Sequence, residues 1–215
     1  AHELRTPMAS IYGFAELMLA QEFEPDEQHE FLATIFRQSE LMISIINELL
    51  DLARIEARRG KDFNIQRIDL SELLREIVGG FKSPDGRPSP RPPTATSPRW
   101  VRGDRKKLTQ AIGNVLSNAY KYSPGGGNVS IDFPEVTEKV GIRIRDQGMG
   151  MTPEQLQRVF ERFYRVEKSR NRTAGGSGLG LAICKSIIEA HDGEIGVESV
   201  PDVGTTFWVK WKAPV

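Results

Sequence analysis

The sequence lacks most of the features that would suit it to an oxidising compartment, a membrane span or nucleic-acid binding. Cys184 is the single cysteine, so no disulfide can form within the chain, and we expect a buried core residue and not a catalytic thiol. Lys and Arg number 29, as do Asp and Glu, so no net positive charge favours nucleic acid or an anionic membrane. No apolar run is long enough to cross a bilayer. These absences predict a soluble, cytoplasmic fragment that contacts neither nucleic acid nor a membrane.

The chain begins abruptly with Ala-His-Glu, within a segment whose apolar spacing predicts a helix. No signal peptide precedes this start. We therefore expect an upstream part to be missing, and that part could anchor the full-length protein in the inner membrane.

Residues 1–59 are predicted to form a hairpin of two antiparallel helices. Pro25 suits the first turn of the second helix. The steps of three and four that follow form a heptad seam, made of Leu32, Ile35, Ser39, Met42, Ile46, Leu49 and Ala53. Further apolar residues widen this surface beyond what one partner helix can cover, so we expect two hairpins to dimerise into a four-helix bundle.

Residues 60–215 are predicted to form a second, α+β domain beyond a polar hinge at 58–62. Helical periodicity appears at 70–81, 105–122 and 179–190. Strand patterns appear at 63–68, 100–102, 129–133, 140–145, 194–199 and 205–211. Residues 83–98 hold six of the 13 prolines and predict an extended or disordered loop. We expect one sheet covered by helices on one face.

Two glycine clusters predict a nucleotide site. Asp146 follows a strand, and Gly148 and Gly150 allow its carboxylate to face a ligand such as the exocyclic amine of adenine. In the second cluster, Gly176, Gly178 and Gly180 precede a helix whose N-terminal amides suit phosphate. Either cluster alone is more typical of a turn or a hinge. The order of the two clusters along the chain, together with two further stretches described below, favours a nucleotide site.

The segment between the clusters is predicted to be a lid. Phe160 and Phe163 should anchor it, and Arg165 should reach the γ-phosphate, with Arg162 as the substitute candidate. The rest of 161–177 is basic and poor in apolar residues, so we expect it to be mobile without nucleotide and to close over bound ATP. Trypsin should then cut at 168–172 unless Mg-ATP is bound, with cuts at Arg87 and Arg91 as the nucleotide-indifferent control.

Two asparagines predict the metal site. Asn114 and Asn118 lie one helical turn apart and interrupt an apolar face, so their amide oxygens could hold Mg²⁺ together with ATP phosphates. Lys121 could reach a phosphate, and Tyr122 could cover the nucleotide.

These stretches resemble those of a two-component sensor histidine kinase, over essentially the whole chain. Residues 2–7, His-Glu-Leu-Arg-Thr-Pro, resemble the phosphoacceptor motif, and 114–122 resemble the asparagine box. The glycine clusters, with 160–165 between them, resemble two glycine boxes and a phenylalanine box. The resemblance implies a phosphotransfer hairpin followed by a Bergerat-type α/β sandwich that binds ATP and Mg²⁺. It also extends the nucleotide site to Leu179, Leu181 and Thr205.

The resemblance further implies ATP-dependent autophosphorylation of His2 and transfer of the phosphoryl group to an aspartate of a response regulator receiver domain. A neutral imidazole is a competent nucleophile, Glu3 could accept its proton, and Pro7 opens the helix beside it. Thr6 lies one turn from His2. By resemblance, the Glu3-x-x-Thr6 arrangement positions water for a phosphatase reaction on the regulator.

Two departures from the family pattern and two rival functions remain. Residues 83–98 stand where the family usually has an alternating strand, and the first helix lacks its upstream portion. An ATPase of the gyrase or chaperone type would share the sandwich, but such enzymes carry Glu where Asn114 stands. The other alternative is a scaffold that dimerises and has lost nucleotide chemistry.

Overall fold

The computed structural model describes residues 2–93, 97–123, 126–134, 139–166 and 176–212, with His2 and Asp85 described by their backbone alone. The chain divides into two compact units, Ala1–Ala53 and Arg54–Val215. The predicted boundary between 59 and 60 lies a few residues beyond this division, at the end of a long helix, and stays a prediction.

The first unit is the expected helical hairpin. Helix α1 spans His2–Ala20, with Pro7 inside it, and helix α2 spans Pro25–Arg58. Near the connecting loop the Phe31 ring packs against Phe14 at 5.3 Å and against Phe23 at 4.9 Å between ring centroids. These aromatic contacts join the end of α1 to the start of α2.

Three positions of the predicted heptad seam are not buried within one chain. Leu32 and Ile46 are 54% and 43% exposed, and Ala53 is also exposed. Ile45 and Leu52, each one position earlier in the chain than Ile46 and Ala53, are the buried ones. A stripe of apolar residues wider than one seam offers several possible faces, and the sequence alone does not say which of them is buried within one chain.

The second unit contains two antiparallel sheets among its described residues, where one was expected. Strand β1 (Gln66–Asp69) pairs with β2 (Trp100–Gly103). The larger sheet has the order β3-β4-β6-β5, formed by Ser130–Asp132, Lys139–Arg145, Gly204–Lys212 and Glu194–Val200. The predicted pairing of β3 with β4 and the final hairpin are confirmed. The first strand starts at Gln66 and not at residue 63, because Phe63 and Ile65 form backbone turn bonds to Gly60 and Phe63.

Helices cover the sheets much as predicted. Helix α3 spans Leu70–Gly80, α4 spans Arg105–Lys121 and α6 spans Gly180–Glu189. A one-and-a-half-turn helix that the sequence reading missed, α5 (Pro153–Arg158), begins at a capping box of Thr152 and Gln155. The core of this unit includes Ala111, Ile112 and Val115 of α4, Cys184 and Ile188 of α6, and Ile142, Ile144, Phe207 and Val209 of the sheet.

The proline-rich segment contains no strand in its described parts, 83–93 and 97–98. Pro84–Gly86 form a short 3-10 turn, and the remaining described residues are irregular. Pro90 is nevertheless buried and Arg87 is half-buried. The segment therefore packs against the domain, at least in part, and is not simply an extended or disordered loop. No helix in the described part of the chain combines the length and apolar character needed to cross a membrane.

Candidate nucleotide-binding site

Helix α4 carries polar residues on one side and core residues on the other. Ile112, Val115, Leu116 and Ala119 are buried, whereas Asn114 and Asn118 are half-buried, so the two asparagines border the apolar face. A Cβ at Gly180 would lie 3.8 Å from the amide nitrogen of Asn114. Asn114 therefore lies beside the N-terminus of α6, where phosphate binding was predicted.

Asp146 is a buried carboxylate held by backbone amides, with 4% of its surface exposed. Its Oδ1 accepts hydrogen bonds from the amides of Gly148 at 2.9 Å and Thr205 at 3.1 Å. Burial raises the pKa of Asp146, and these two amide bonds act in the opposite direction. The carboxyl group is thus fixed between the exit of β4 and the start of β6, which brings the predicted residues Asp146 and Thr205 together.

The glycines of the first cluster are needed for two different reasons. A Cβ at Gly148 would lie 2.2 Å from the carbonyl oxygen of Tyr122, whereas Gly150 has a φ of 62°. The amide of Met149 also donates to the Tyr122 carbonyl at 3.1 Å. The turn at 146–150 therefore packs directly on the C-terminal end of α4.

The second cluster joins the phenylalanine segment to α6. Gly178 has a φ of 72°, and a Cβ there would lie 2.8 Å from the backbone carbon of Phe163, whose amide donates to the Gly178 carbonyl at 3.0 Å. Gly180 begins α6 and has room for a Cβ, so crowding does not require glycine at that position. Leu179 is fully buried and Leu181 is half-buried.

Two cationic side chains lie close together at the end of α4. Burial lowers the pKa of Lys121, and the nearby Arg165 guanidinium lowers it further. Burial raises the pKa of Tyr122, against the effect of the same guanidinium. A Cβ at Gly176 would lie 2.6 Å from Nζ of Lys121, which places that backbone next to the cations. Two half-buried cations beside this backbone form a site suited to an anion.

The two arginine candidates are separated by their contacts. Arg162 forms an ion pair with Glu56, at 2.5 and 2.6 Å from its two oxygens, whereas the charge of Arg165 lowers the pKa of Lys121 and opposes the rise in the pKa of Tyr122. Phe160 packs edge-on against Phe207 of β6 at 6.4 Å, so it anchors this segment as predicted. The basic residues of the predicted lid, at 168–172, lie outside the described residues.

The phosphoacceptor motif lies on α1, in the first unit. Glu3 is half-buried, Thr6 is exposed and Pro7 is buried. The described part of His2 is its backbone, so its predicted role and those of Glu3 and Thr6 stay predictions. No group of three or more His, Cys, Asp or Glu side chains suited to a metal is found in the described parts of the chain.

Two serines that border the site were not predicted from the sequence. Ser123 is 1% exposed and follows Tyr122 directly. The Ser199 hydroxyl accepts from the Met151 amide at 2.9 Å and donates to the Gly204 carbonyl at 2.8 Å. The signal for Ser123 was its place at the end of the asparagine-rich stretch, but nothing in the sequence marked Ser199.

Both units match known protein families. Residues 103–215 match the family described as histidine kinase-, DNA gyrase B-, and HSP90-like ATPase, and residues 1–58 match the His Kinase A (phospho-acceptor) domain. The fold and the site thus define an ATP-binding domain of this class, preceded by a phosphoacceptor domain.

Relatives with the same pair of domains are sensor kinases. The sensor histidine kinase WalK of Bacillus subtilis is 36% identical over 96% of this chain, and SenX3 of Mycolicibacterium smegmatis is also 36% identical over 96%. The chain belongs to the sensor histidine kinase family of two-component systems. It spans 34% of the length of WalK and 54% of that of SenX3.

Solved structures show the same fold over the whole chain. The histidine kinase AdeS of Acinetobacter baumannii has a TM-score of 0.78 at 24% identity, covering 100% of this chain and 99% of that one. The histidine kinase ThkA, solved in complex with the response regulator protein TrrA, has a TM-score of 0.77 at 22% identity and covers 100% of this chain, which covers 60% of it.

Proposed function

We propose that this chain transfers the γ-phosphoryl group of ATP to His2 and then to an aspartate of a response regulator. The observation that carries the proposal is the half-buried Lys121, whose Nζ lies next to the backbone of Gly176 and whose pKa the half-buried Arg165 lowers further. Two neighbouring cations stabilise an anion that binds beside them. ATP would supply that anion.

The other end of the site suits the adenine base. Asp146 is held rigidly by two amides, so its position needs no rearrangement when a ligand binds. Its second oxygen, Oδ2, would accept a hydrogen bond from the exocyclic amine. Tyr122 contacts both ends of the site. Its carbonyl contacts the Asp146–Gly150 turn, and the centroid of its ring lies 5.2 Å from Nζ of Lys121.

Mg²⁺ fits the residues present, although no acidic cluster is seen among the described residues. Asn118 and Asn114 would supply amide oxygens, and nucleotide phosphates and water would complete the coordination. The metal would withdraw charge from the phosphates. The chain's own contribution is Arg165 on the γ-phosphate oxygens and Lys121 on the adjacent phosphate.

In the reaction we propose, a ring nitrogen of neutral His2 attacks the γ-phosphorus and the bond from that phosphorus to the bridging oxygen of ADP breaks. Glu3 accepts the proton from the other ring nitrogen, so the phosphohistidine leaves this step neutral at the ring. Transfer to the regulator then moves the phosphoryl group to an aspartate oxygen. Glu3 and Thr6 would also position water to remove it, which gives the phosphatase activity.

A dimer is part of the proposal because the hairpin leaves large apolar side chains in water. The exposed ones are Met8, Tyr12, Leu17, Leu19, Leu32, Phe36, Ile43, Ile46 and Leu50. A second hairpin would cover the apolar stripe of α2 and complete a four-helix bundle. The complex of ThkA with TrrA, a kinase of the same fold, supports a receiver domain as the partner.

The proposal is tested by incubating the protein with γ-labelled ATP and Mg²⁺ and treating the product with acid or alkali. We expect label that survives alkali and is lost in acid, as a phosphohistidine should. His2→Gln should abolish the label while ATP binding persists, and His29→Gln, at an exposed position on α2, is the matched control. Release of free phosphate without labelled protein would indicate an ATPase, and neither product would indicate a scaffold.

A further inference from the structure

The proline-rich segment contacts the end of α4 that carries the phosphate-binding and nucleotide-covering candidates. Arg87, from this segment, donates from its two terminal nitrogens to the carbonyls of Tyr120 and Ser123, each at 2.5 Å. Its guanidinium also lies over the Tyr120 ring, 4.8 Å from the centroid. One side chain therefore bonds two backbone carbonyls that flank Lys121 and Tyr122.

The partners of Arg87 are held firmly in place. Tyr120 is 3% exposed, and its hydroxyl donates to the Pro88 carbonyl at 2.6 Å. The Phe81 ring packs on Tyr120 at 5.0 Å between centroids. The Ser83 hydroxyl donates to the Arg87 carbonyl, which fixes the backbone of the arginine itself. Arg87 thus links two ordered surfaces, and it is not a solvated loop residue.

The Tyr120 carbonyl lies in the last turn of α4, and the Ser123 carbonyl lies two residues beyond the end of the helix at Lys121. The last carbonyls of α4 carry the negative end of its dipole, so a guanidinium there is electrostatically favoured and its hydrogen bonds are charge-assisted. Two bonds to a planar group also define an orientation, which one flexible ammonium would not. Arg87 therefore restrains where α4 ends and how the chain leaves it.

The restrained segment is also the one that contacts the adenine side of the site. The Tyr122 carbonyl accepts from the Met149 amide, and a Cβ at Gly148 would lie 2.8 Å from the Ser123 hydroxyl oxygen. A shift of residues 120–123 would therefore move Lys121 and Tyr122 and disturb the turn that holds Asp146. The hydrogen bonds of Arg87 therefore affect the positions of the residues proposed to bind the phosphates and of the carboxylate proposed to bind the base.

We propose that Arg87 is a positioning residue for nucleotide binding, which holds Lys121 and Tyr122 in their binding geometry through the carbonyls of Tyr120 and Ser123. The inference rests on the proposed function, because it assumes that ATP binds at this site. Arg87 does not itself touch the nucleotide. It increases the fraction of molecules in which the end of α4 has its binding-competent arrangement before ATP arrives. The apparent Kd equals the intrinsic Kd divided by this fraction.

The test is calorimetric titration of the full chain with Mg-bound non-hydrolysable ATP, comparing the wild type with Arg87→Met and Arg87→Lys. We expect Arg87→Met to raise the Kd about tenfold at unchanged stoichiometry, as when only about a tenth of the molecules remain competent. Arg87→Lys keeps the positive charge but lacks the planar guanidinium that bonds both carbonyls, so it should raise the Kd about threefold. Autophosphorylation at saturating ATP should return to the wild-type rate, so KM and not kcat should carry the defect.

Arg91→Met is the matched control, because Arg91 is an exposed arginine of the same segment, and its Kd should equal that of the wild type. An unchanged Kd in Arg87→Lys and Arg87→Met overturns the inference. So does a fall in stoichiometry at unchanged Kd, which is the result of a purely structural role. If Arg87→Met does not fold, Arg87→Lys alone decides. A wild-type chain that binds no Mg-ATP removes the proposed function, whereas wild-type binding with unaffected variants removes only this inference.

Discussion

The two units bury their apolar residues very differently. In the two hairpin helices, the buried apolar side chains among the described residues are Pro7, Ile45, Leu52 and Ile55, while nine large ones, from Met8 to Leu50, are exposed. In the second unit, the described large apolar residues that remain exposed are Ile65, Val200 and Val203. The second unit has a core of its own, as an independently folding domain needs. The hairpin has an exposed apolar surface that the proposed second hairpin would cover.

The difference also extends to polar side chains. In the second unit, polar groups form hydrogen bonds between elements, as when Asp104 at the start of α4 accepts from the Asn64 amide and His191 accepts from the Asp104 amide. The side-chain hydrogen bonds of Thr34, Ser39 and Ser44 in α2 are local ones within the helix, such as Ser39 to the Ile35 carbonyl. The ATP-binding unit is therefore specified by its own tertiary contacts, whereas the hairpin is specified largely by what packs on it.

The sharpest way to break the comparison is to put charge on the exposed face of α2. Phe36→Glu combined with Ile43→Glu should convert the dimer to a monomer, since two carboxylates would be buried without partners in the bundle. Sedimentation velocity measures the change, and the Kd for ATP should stay within about twofold, because the second unit folds around its own core. Val203→Glu, at a 66% exposed position of the second unit, is the control and should leave the dimer intact. A dimer that survives the double substitution would show that this face is not the interface.

Truncating a core residue should affect the second unit strongly. Leu116→Ala, at a fully buried position of α4, should lower the free energy of unfolding by about 2–5 kcal/mol through lost burial and a cavity. Trp100, Trp208 and Trp211 all lie in this unit, so urea titration followed by tryptophan fluorescence reports on it alone. Leu19→Ala, at a position 90% exposed, should change that transition by less than about 0.5 kcal/mol. Equal effects would contradict the assignment of separate cores.

Asp146→Asn should weaken ATP binding and stabilise the nucleotide-free protein. The amide can still accept the bonds from Gly148 and Thr205, but loss of the charged acceptor should raise the Kd about tenfold or more. Because burial raises the pKa of Asp146, the ionised carboxyl destabilises the folded state at neutral pH. The melting temperature should therefore rise at pH 7.5, and the gain should disappear below about pH 4, where the carboxyl is protonated in both states. A lower melting temperature at pH 7.5 would contradict this account.

The smallest effect concerns His191, whose ring stacks on Phe63 at 4.8 Å between centroids. Burial lowers its pKa, against the carboxylates of Asp104 and Asp192, which raise it. The folded state therefore favours the neutral ring. The contribution of this group to the free energy of unfolding is complete above the unfolded pKa of about 6.5, and it is lost as the pH falls from there through the lower pKa of the folded state. The slope should be at most about 1.4 kcal/mol per pH unit.

His191→Gln should flatten this dependence between pH 7.5 and 5.5, as followed by tryptophan fluorescence in urea. His29→Gln, on the exposed surface of α2, should retain the wild-type slope. Identical slopes in the wild type and in His191→Gln would show that another group titrates.

Periodicity and turn chemistry predicted most of the elements because those signals are local. Pro25 at the start of α2, the apolar face of α4 and the alternation along β6 each depend on neighbours a few residues apart. The predicted bounds of an element were wrong where a tertiary contact determined where it begins. Gly60 has a φ of 73° and packs on the Ala190 carbonyl, and this turn delays β1 to Gln66.

The sequence by itself determined the order of the two domains, the family and the candidate site residues, because the motifs are short runs whose spacing carries the chemistry. Tertiary structure decided which of them meet. It separated Arg165 from Arg162, which the sequence left as alternatives, by pairing Arg162 with Glu56. It also turned the proline-rich segment from a presumed nucleotide-indifferent loop into a support for α4, so Arg87 is unsuitable as a cleavage control. These outcomes depend on contacts across 33 to 106 positions of the chain, which no local pattern encodes.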